Sequence, residues 1–327
     1  MPMASYSISI AKINQLISMD PLQERIAALS ADERKLIAEF MDAFVCESPR
    51  ENIQPNLRSN FAQQNAKSSI IRHILGNSID ALMINSSNGL LAIDPEDMVI
   101  GSILRKYGQY GMREINTIKS YLTQKSRILV VGAHIGAIVI PLASCCTEVV
   151  AIEANPETYR LLNVNLKINQ IENCRTYNVA ASDQEEILTF LMSKVNSGGC
   201  KRKPFIDDVM YSYDNPKKIF VEAIHLDKLL DGERFDTIIM DIEGSEYFAL
   251  KGMPKLLQSC KRLFIEFIPH HLTNVAGIEP AQFIKPLKRF DTMILSSKNI
   301  EVSNQNFEIV LKYMFDEGIS EDSIIFS

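Results

Sequence analysis

Residues 127–155 read RILVVGAHIGAIVIPLASCCTEVVAIEAN. An apolar run rich in β-branched residues, Ile128 to Val131, stops at Gly132-Ala133-His134-Ile135-Gly136, and a second run, Val149 to Ile152, ends on Glu153. Strand, glycine turn, helix, strand and acid, in that order, form a nucleotide-binding βαβ unit. Glycine suits the turn because a residue without Cβ lets backbone and ligand approach closely. The same glycines also serve plain strand–helix packing, so the order of elements around them carries the reading. The acid closing the second strand is placed to accept hydrogen bonds from ribose hydroxyls. It follows the first glycine by about 20 residues, the spacing such units use.

The chain has 327 residues, enough for one main domain and an N-terminal extension. A hydrophobic fraction of 46% is ample for a core, and a net charge of −6 argues against a nucleic-acid partner. The one basic cluster, Lys201-Arg202-Lys203, is read as a solvated loop. None of the six cysteines forms a CxxC pair, so neither a zinc ribbon nor a disulfide framework is expected. Reduced thiols point to the cytoplasm. No membrane association is expected: the longest apolar stretch, Ile128 to Ala143, is too short to span a bilayer comfortably. The start MPMASYSISIAK also lacks the pattern of a secretory signal.

In the extension, Asp20-Pro21 starts a short helix and Ser30 with Glu33 makes a capping box. The next helix gathers Leu36, Ile37, Phe40, Met41 and Phe44 on one face. Residues 1–46 are therefore expected to pack on the main domain, a second copy of the chain or another protein. The polar stretch from Cys46 to Ser68 is read as a linker or surface loop. Ala81–Ile84 and Leu90–Ile93 flank Ser86-Ser87-Asn88-Gly89, a hairpin signal. A helix begins at Asp94-Pro95-Glu96-Asp97, breaks at Gly108-Gln109-Tyr110-Gly111 and resumes from Met112. Beyond the central unit, helices and strands alternate in the doubly wound manner. Strands are expected at Cys174–Val179, Phe235–Met240 and Arg262–Ile268, with an extra one at Ile187–Met192 before a loop from Ser193 to Lys217.

Seven pieces of the chain, in order, resemble the FkbM-like family of S-adenosylmethionine-dependent methyltransferases. They are IDPEDMVIGSILRKYGQYGMREI (93–115), VVGAHIG (130–136), AIEANPETYRLLNVNLKIN (151–169), NVAASD (178–183), NSGG (196–199), MDIEGSEYFALKGM (240–253) and IEFIPHHL (265–272). The resemblance implies an α/β fold of class I methyltransferase type: a Rossmann-like, doubly wound, mostly parallel seven-stranded sheet. It implies methyl transfer to an oxygen, with sugars, glycolipids and polyketide- or peptide-derived natural products as acceptors. The chain departs from the family where Val130 replaces the usual Asp and His134 the usual Asn. The segment ALSADERKLIAEF also looks like linkers of modular synthases, so docking on a synthase through residues 1–46, or a homodimer, is an expected partner arrangement.

Ligands of an open α/β sheet lie beyond the carboxyl ends of its strands. Gly132, Ala133, His134 and Gly136 are thus expected under the methionine part of S-adenosylmethionine, Glu153 on the ribose, and Asn155 beside it. By resemblance, Ala180, Ser182 and Asp183 form the adenine edge, and the segment with Tyr107, Tyr110 and Glu114 folds over the cofactor. An aromatic ring there suits a sulfonium. Asp241, Glu243, Glu266 and His270 are the candidate catalytic residues, with Asp241 or His270 as general base. The competing idea is that these four gather Mg²⁺ or Mn²⁺ to lower the hydroxyl pKa; the spacing itself demands no metal. His225 and His271 are read as structural. The expected division is an extension and linker over 1–68, a hairpin and helical cap over 69–125, and the cofactor-binding domain over 126–327. Two rivals remain: an NAD-dependent oxidoreductase, disfavoured because the glycine motif is not GxGxxG, and a retired methyltransferase fold acting as a docking module, with Val130 as its warning sign.

Overall fold

The structure, a computed structural model, describes residues 53–327, with side chains from residue 61. The helix starts at Asp20 and Ser30 and the face Leu36–Phe44 lie outside the described residues. The expected linker is helical over its second half: α1 runs Ile53–Leu75. Pro55 falls in the first turn, where its missing N–H costs nothing, and no glycine interrupts the Gln, Ala, Lys and Arg that follow. Gly76, at φ 76°, ends it. The boundary read at residue 68 therefore falls inside one helix. Phe61 stacks on Tyr213 at 3.9 Å and Asn65 donates to the Tyr213 carbonyl, fastening α1 to the later insertion.

The hairpin β1 (Leu82–Ser86) and β2 (Gly89–Ile93) and the helices α2 (Ile100–Tyr107) and α3 (Met112–Ser120) precede the sheet. Then come β3 (Arg127–Val131), α4 (Val139–Ala143), β4 (Glu148–Ile152), α5 (Pro156–Ile168), β5 (Cys174–Tyr177) and β6 (Ala180–Ala181). The insertion holds β7 (Glu186–Met192), β8 (Lys201–Arg202) and β9 (Lys217–Ile224). After α6 (Leu226–Leu229) follow β10 (Thr237–Met240), α7 (Glu246–Lys251), α8 (Pro254–Ser259), β11 (Arg262–Phe267), a π-helical turn (His271–Ala276) and α9 (Pro280–Ile284). The chain closes with β12 (Thr292–Leu295), β13 (Ile300–Ser303), α10 (Phe307–Asp316) and β14 (Glu321–Phe326).

The main sheet runs β13-β12-β14-β11-β10-β3-β4-β5. From β5 to β11 every pair is parallel, while β14 lies antiparallel between β11 and β12. The seven expected strands are present, and β13 adds an eighth at the edge as a hairpin with β12. The chain winds from β3 outward to β5, then returns to the other side of β3 as β10. The crevice of an open α/β sheet lies at such a reversal, here between the ends of β3 and β10.

The hairpin and cap share one apolar core with this sheet: Leu91, Ile93, Leu104, Ile115 and Ile118 pack with Ile128, Val130 and Ile140. A side-chain ladder on α5 completes the contact. Asn165 Oδ1 accepts from the Ala92 N–H at 2.6 Å and its Nδ2 donates to the Ala92 carbonyl at 3.0 Å. One turn on, Asn169 makes the same pair of bonds with Leu90. Residues i and i+4 of a helix face the same way, so two amides stand in for a neighbouring strand along the edge of β2.

The segment from Ser193 to Lys217 is mostly loop and short 3-10 turns, as expected, but Lys201–Arg202 within it and β9 beginning at Lys217 join a second sheet, ordered β6-β9-β7-β8. Lys217–Ile224 pairs antiparallel with β7 over seven positions, Glu186↔Ala223 to Met192↔Lys217. Ile219, Val221 and Ala223 alternate inward onto Phe190 and Ala180, a period-2 pattern legible in the residues.

Candidate active site

At the reversal point the two strand ends nearly touch. Gly132 has φ 92°, and a Cβ there would lie 1.8 Å from the Asp241 carbonyl oxygen. Only glycine fits. Two residues without that freedom, His134 at φ 51° and Glu243 at φ 56°, also take the left-handed conformation in the turns after β3 and β10. Such conformations cost energy and persist where surrounding contacts enforce them.

Those contacts are visible. Glu153 is 8% exposed. Its Oε2 accepts from the His134 N–H at 2.7 Å, while Oε1 accepts from the Asn155 N–H at 2.8 Å and the Thr158 hydroxyl at 2.9 Å. It thereby ties the turn after β3 to the start of α5. Burial raises its pKa against the pull of these donors. Across the cavity, His134 Nε2 lies 2.7 Å from Ser197 Oγ, and the Ser197 hydroxyl donates to Asp97. Because the serine proton points to the carboxylate, His134 donates from Nε2 as a neutral imidazole. Burial, opposed by Asp97, drives its pKa down to about 4. The clasp joins the cap, the insertion and the glycine turn.

These segments enclose a cavity of about 230 Å³. Gly132, Ala133, His134, Glu153, Ala180, Asp241, Glu243 and Glu266 line it from the strand ends, and Tyr110 and Glu114 from the cap segment. Phe190, Asn196, Ser197, Gly198 and Cys200 join them from the insertion. Four residues expected at the cofactor sit outside the wall. Gly136 packs on Leu162. Asn155 caps α5 by accepting from the Glu157 N–H. The Ser182 backbone is pressed against Gly252, and Asp183 turns outward to Lys251. Tyr107 is likewise solvent-exposed.

The wall is acidic. Glu114, Glu153, Asp241, Glu243 and Glu266 line it, and no lysine or arginine does. Asp241 is open to the cavity yet enclosed by protein, and burial, with Glu243 and Glu246 nearby, lifts its pKa well above the usual range. Burial and the Asp241 charge do the same for Glu266, and burial brings Glu114 to about 7. Burial works against the charged form of Glu243 as well, but Lys201, 2.7 Å away, holds its pKa below the usual value.

His270 does not line the cavity: it is exposed, with Nδ1 3.0 Å from the Tyr211 hydroxyl. Its neighbour His271, read as structural, stands between two acids, Nε2 3.5 Å from Glu243 and Nδ1 3.7 Å from Glu266. Two polar atoms of the wall, Asn196 Oδ1 and Ser245 Oγ, are buried without partners.

The sheet is doubly wound, with an acid-lined crevice at its reversal. The Methyltransferase FkbM domain family model matches residues 131–317, and the chain belongs to that family. No curated protein matches it. Among solved structures it resembles the methyltransferase FkbM from Methylobacillus flagellatus, at 14% identity and TM-score 0.40, covering 67% of this chain and 48% of that one. It also resembles TYW2 from M. jannaschii in complex with AdoMet (18%, TM-score 0.33, 59% and 64%). The M. jannaschii tRNA m1G37 methyltransferase is similar too (15%, TM-score 0.34, 66% and 50%). The chain thus spans less than two thirds of each of these proteins.

Proposed function

We propose that the chain binds S-adenosylmethionine in this cavity and moves its methyl group to a hydroxyl of a small-molecule acceptor, a natural product or a sugar. The observation that carries the reading is the wall of five carboxyls without a basic residue, built around the Gly132 turn. S-adenosylmethionine, when bound, supplies an electrophilic methyl on a sulfonium beside an ammonium. Burial alone holds most of these carboxyls toward their neutral forms, and a sulfonium and an ammonium beside them favour their ionisation, so the wall suits both cations. Glu153, which lines the cavity at the end of β4, is the acceptor we assign to the ribose.

Asp241 is the residue we assign to take the hydroxyl proton, because burial makes its carboxylate a stronger base than a solvated one. A divalent cation such as Mg²⁺ at the same carboxyls is the second way to activate the oxygen. Val130 is 2% exposed, packs in the core and lies outside the cavity wall, which supports a site that works without a carboxylate at that position.

Transfer of a labelled methyl group to a panel of hydroxyl-bearing acceptors tests the reading. Base-stable ether products support it; label found only on nitrogen or carbon refutes oxygen transfer. We place the reaction in the cytoplasm, a compartment that suits the free thiols of the described cysteines. Among the described residues no helix is long and apolar enough to cross a membrane. For residues 1–46 we propose synthase docking, which deletion of that segment should abolish while leaving methylation of a free acceptor intact.

A further inference from the structure

The carboxyl cluster at the ends of β10 and β11 contains more acid than the protein balances. One oxygen each from Asp241, Glu246 and Glu266 lies within 4.8 Å of the others. Lys201 is committed to Glu243 at 2.7 Å. Glu246 is buried, with Oε1 held by the N–H groups of Ile242 and Gly244. Acids can crowd in this way with nothing bound, so the cluster alone points to no ligand.

The second observation is His271. Its side chain is 7% exposed, and Nδ1 has no hydrogen-bond partner. The nearby acceptor, Glu266 Oε2, is 3.7 Å away, too far for a hydrogen bond. A buried ring nitrogen left unpaired costs free energy, and this one is aimed at a carboxylate of the cluster. A cation between them satisfies the nitrogen and the acids together. The π-helical turn His271–Ala276 sets this direction, and π-turns occur often at functional sites.

We propose that Asp241, Glu246, Glu266 and His271 Nδ1 form a site for a hard divalent cation, Mg²⁺ or Mn²⁺, with Lys201–Glu243 packed against it as an outer layer. Three oxygens and one imidazole suit these ions better than zinc, whose structural sites favour sulfur and nitrogen. Bonds of about 2.1 Å place opposite ligands about 4.2 Å apart, so the three carboxyls need only a small inward rotation, while His271 Nδ1, beside Glu266 but outside the 4.8 Å group, must turn further toward them. Binding of the ion does not depend on the methyl-transfer reading; only its role, lowering the pKa of an acceptor hydroxyl, rests on that reading.

The test uses the full chain after chelator dialysis, titrated with MnCl₂ while the free Mn²⁺ spectrum is followed by electron paramagnetic resonance. One Mn²⁺ should bind per chain, and Mg²⁺ should displace it. Glu266→Gln, nearly isosteric, and His271→Ala should each weaken binding at least about tenfold, with unchanged circular dichroism as the check on folding. Undiminished free Mn²⁺, or variants that bind like the parent, would overturn the site. S-adenosylmethionine binding is measured separately in chelator. Mn²⁺ bound without it upholds the metal site and removes the methyl-transfer reading; the nucleoside bound without Mn²⁺ does the reverse.

Discussion

At the residue scale, a few side chains with specific partners hold the site together. Gly132→Ala places a Cβ against the Asp241 carbonyl, so the two strand ends must part. The expected cost is about 3 kcal/mol or more, read as a lowered urea midpoint; an unchanged midpoint contradicts the packing. Ser197→Ala should act differently. It removes the link between His134 and Asp97 but leaves the sheet alone. We expect a loss of about 1 kcal/mol in stability and about tenfold weaker S-adenosylmethionine binding, measured by calorimetry; equal affinity would remove the clasp from the binding role. Gly132, Glu153 and Asp241 were legible in the sequence because strand-end positions follow from periodicity. Asp97 was legible only as a helix-start acid, since nothing local shows that its partner stands 100 residues away. His270 and His271 are adjacent, and no pattern tells which faces the acids; the turn after β11 decides it.

At the element scale, the α5 ladder explains how a hairpin with one free edge is held. Asn165→Ala would strand the N–H and carbonyl of Ala92 and the carbonyl of Ile135. The expected destabilisation is about 3 kcal/mol, and a loss under about 1 kcal/mol would show that the amide is dispensable. Central strands were readable as continuous β-branched runs, because a parallel sheet is covered on both faces. In the insertion β7 was readable but its partner β9 was not, although the alternation was present: Lys217, Lys218 and Glu222 make β9 look polar, as expected of a strand with one face in solvent. The edge strand β13 and the antiparallel placement of β14 escaped for a related reason, since short strands leave too few residues to establish a period.

At the scale of the whole molecule, buried titratable groups pull stability in opposite directions with pH. Glu114, lifted to about 7 by burial, binds its proton more tightly in the folded chain than in the unfolded chain, where the value is 4.5. Its contribution is therefore lost as pH rises from about 4.5 to 7, by at most about 1.4 kcal/mol per pH unit. Glu246, also lifted to about 7 by burial, acts in the same sense. His134 and His271, lowered by burial to about 4 and about 3, act oppositely: their contribution is present above 6.5 and lost as pH falls. Glu114→Gln isolates one term. Its stability relative to the parent should rise between about pH 4.5 and 7 in chemical denaturation, and a flat difference would show that Glu114 is not raised.

The central claim is that the acid-walled cavity takes S-adenosylmethionine. Calorimetric titration of the full chain with S-adenosylmethionine, S-adenosylhomocysteine and NAD, repeated on Glu153→Gln, tests it most directly. The account predicts binding of both sulfur ligands, tighter for the sulfonium, with none for NAD and at least about tenfold weaker binding in the variant. Binding of NAD in place of the sulfur ligands, or of neither class, would contradict it.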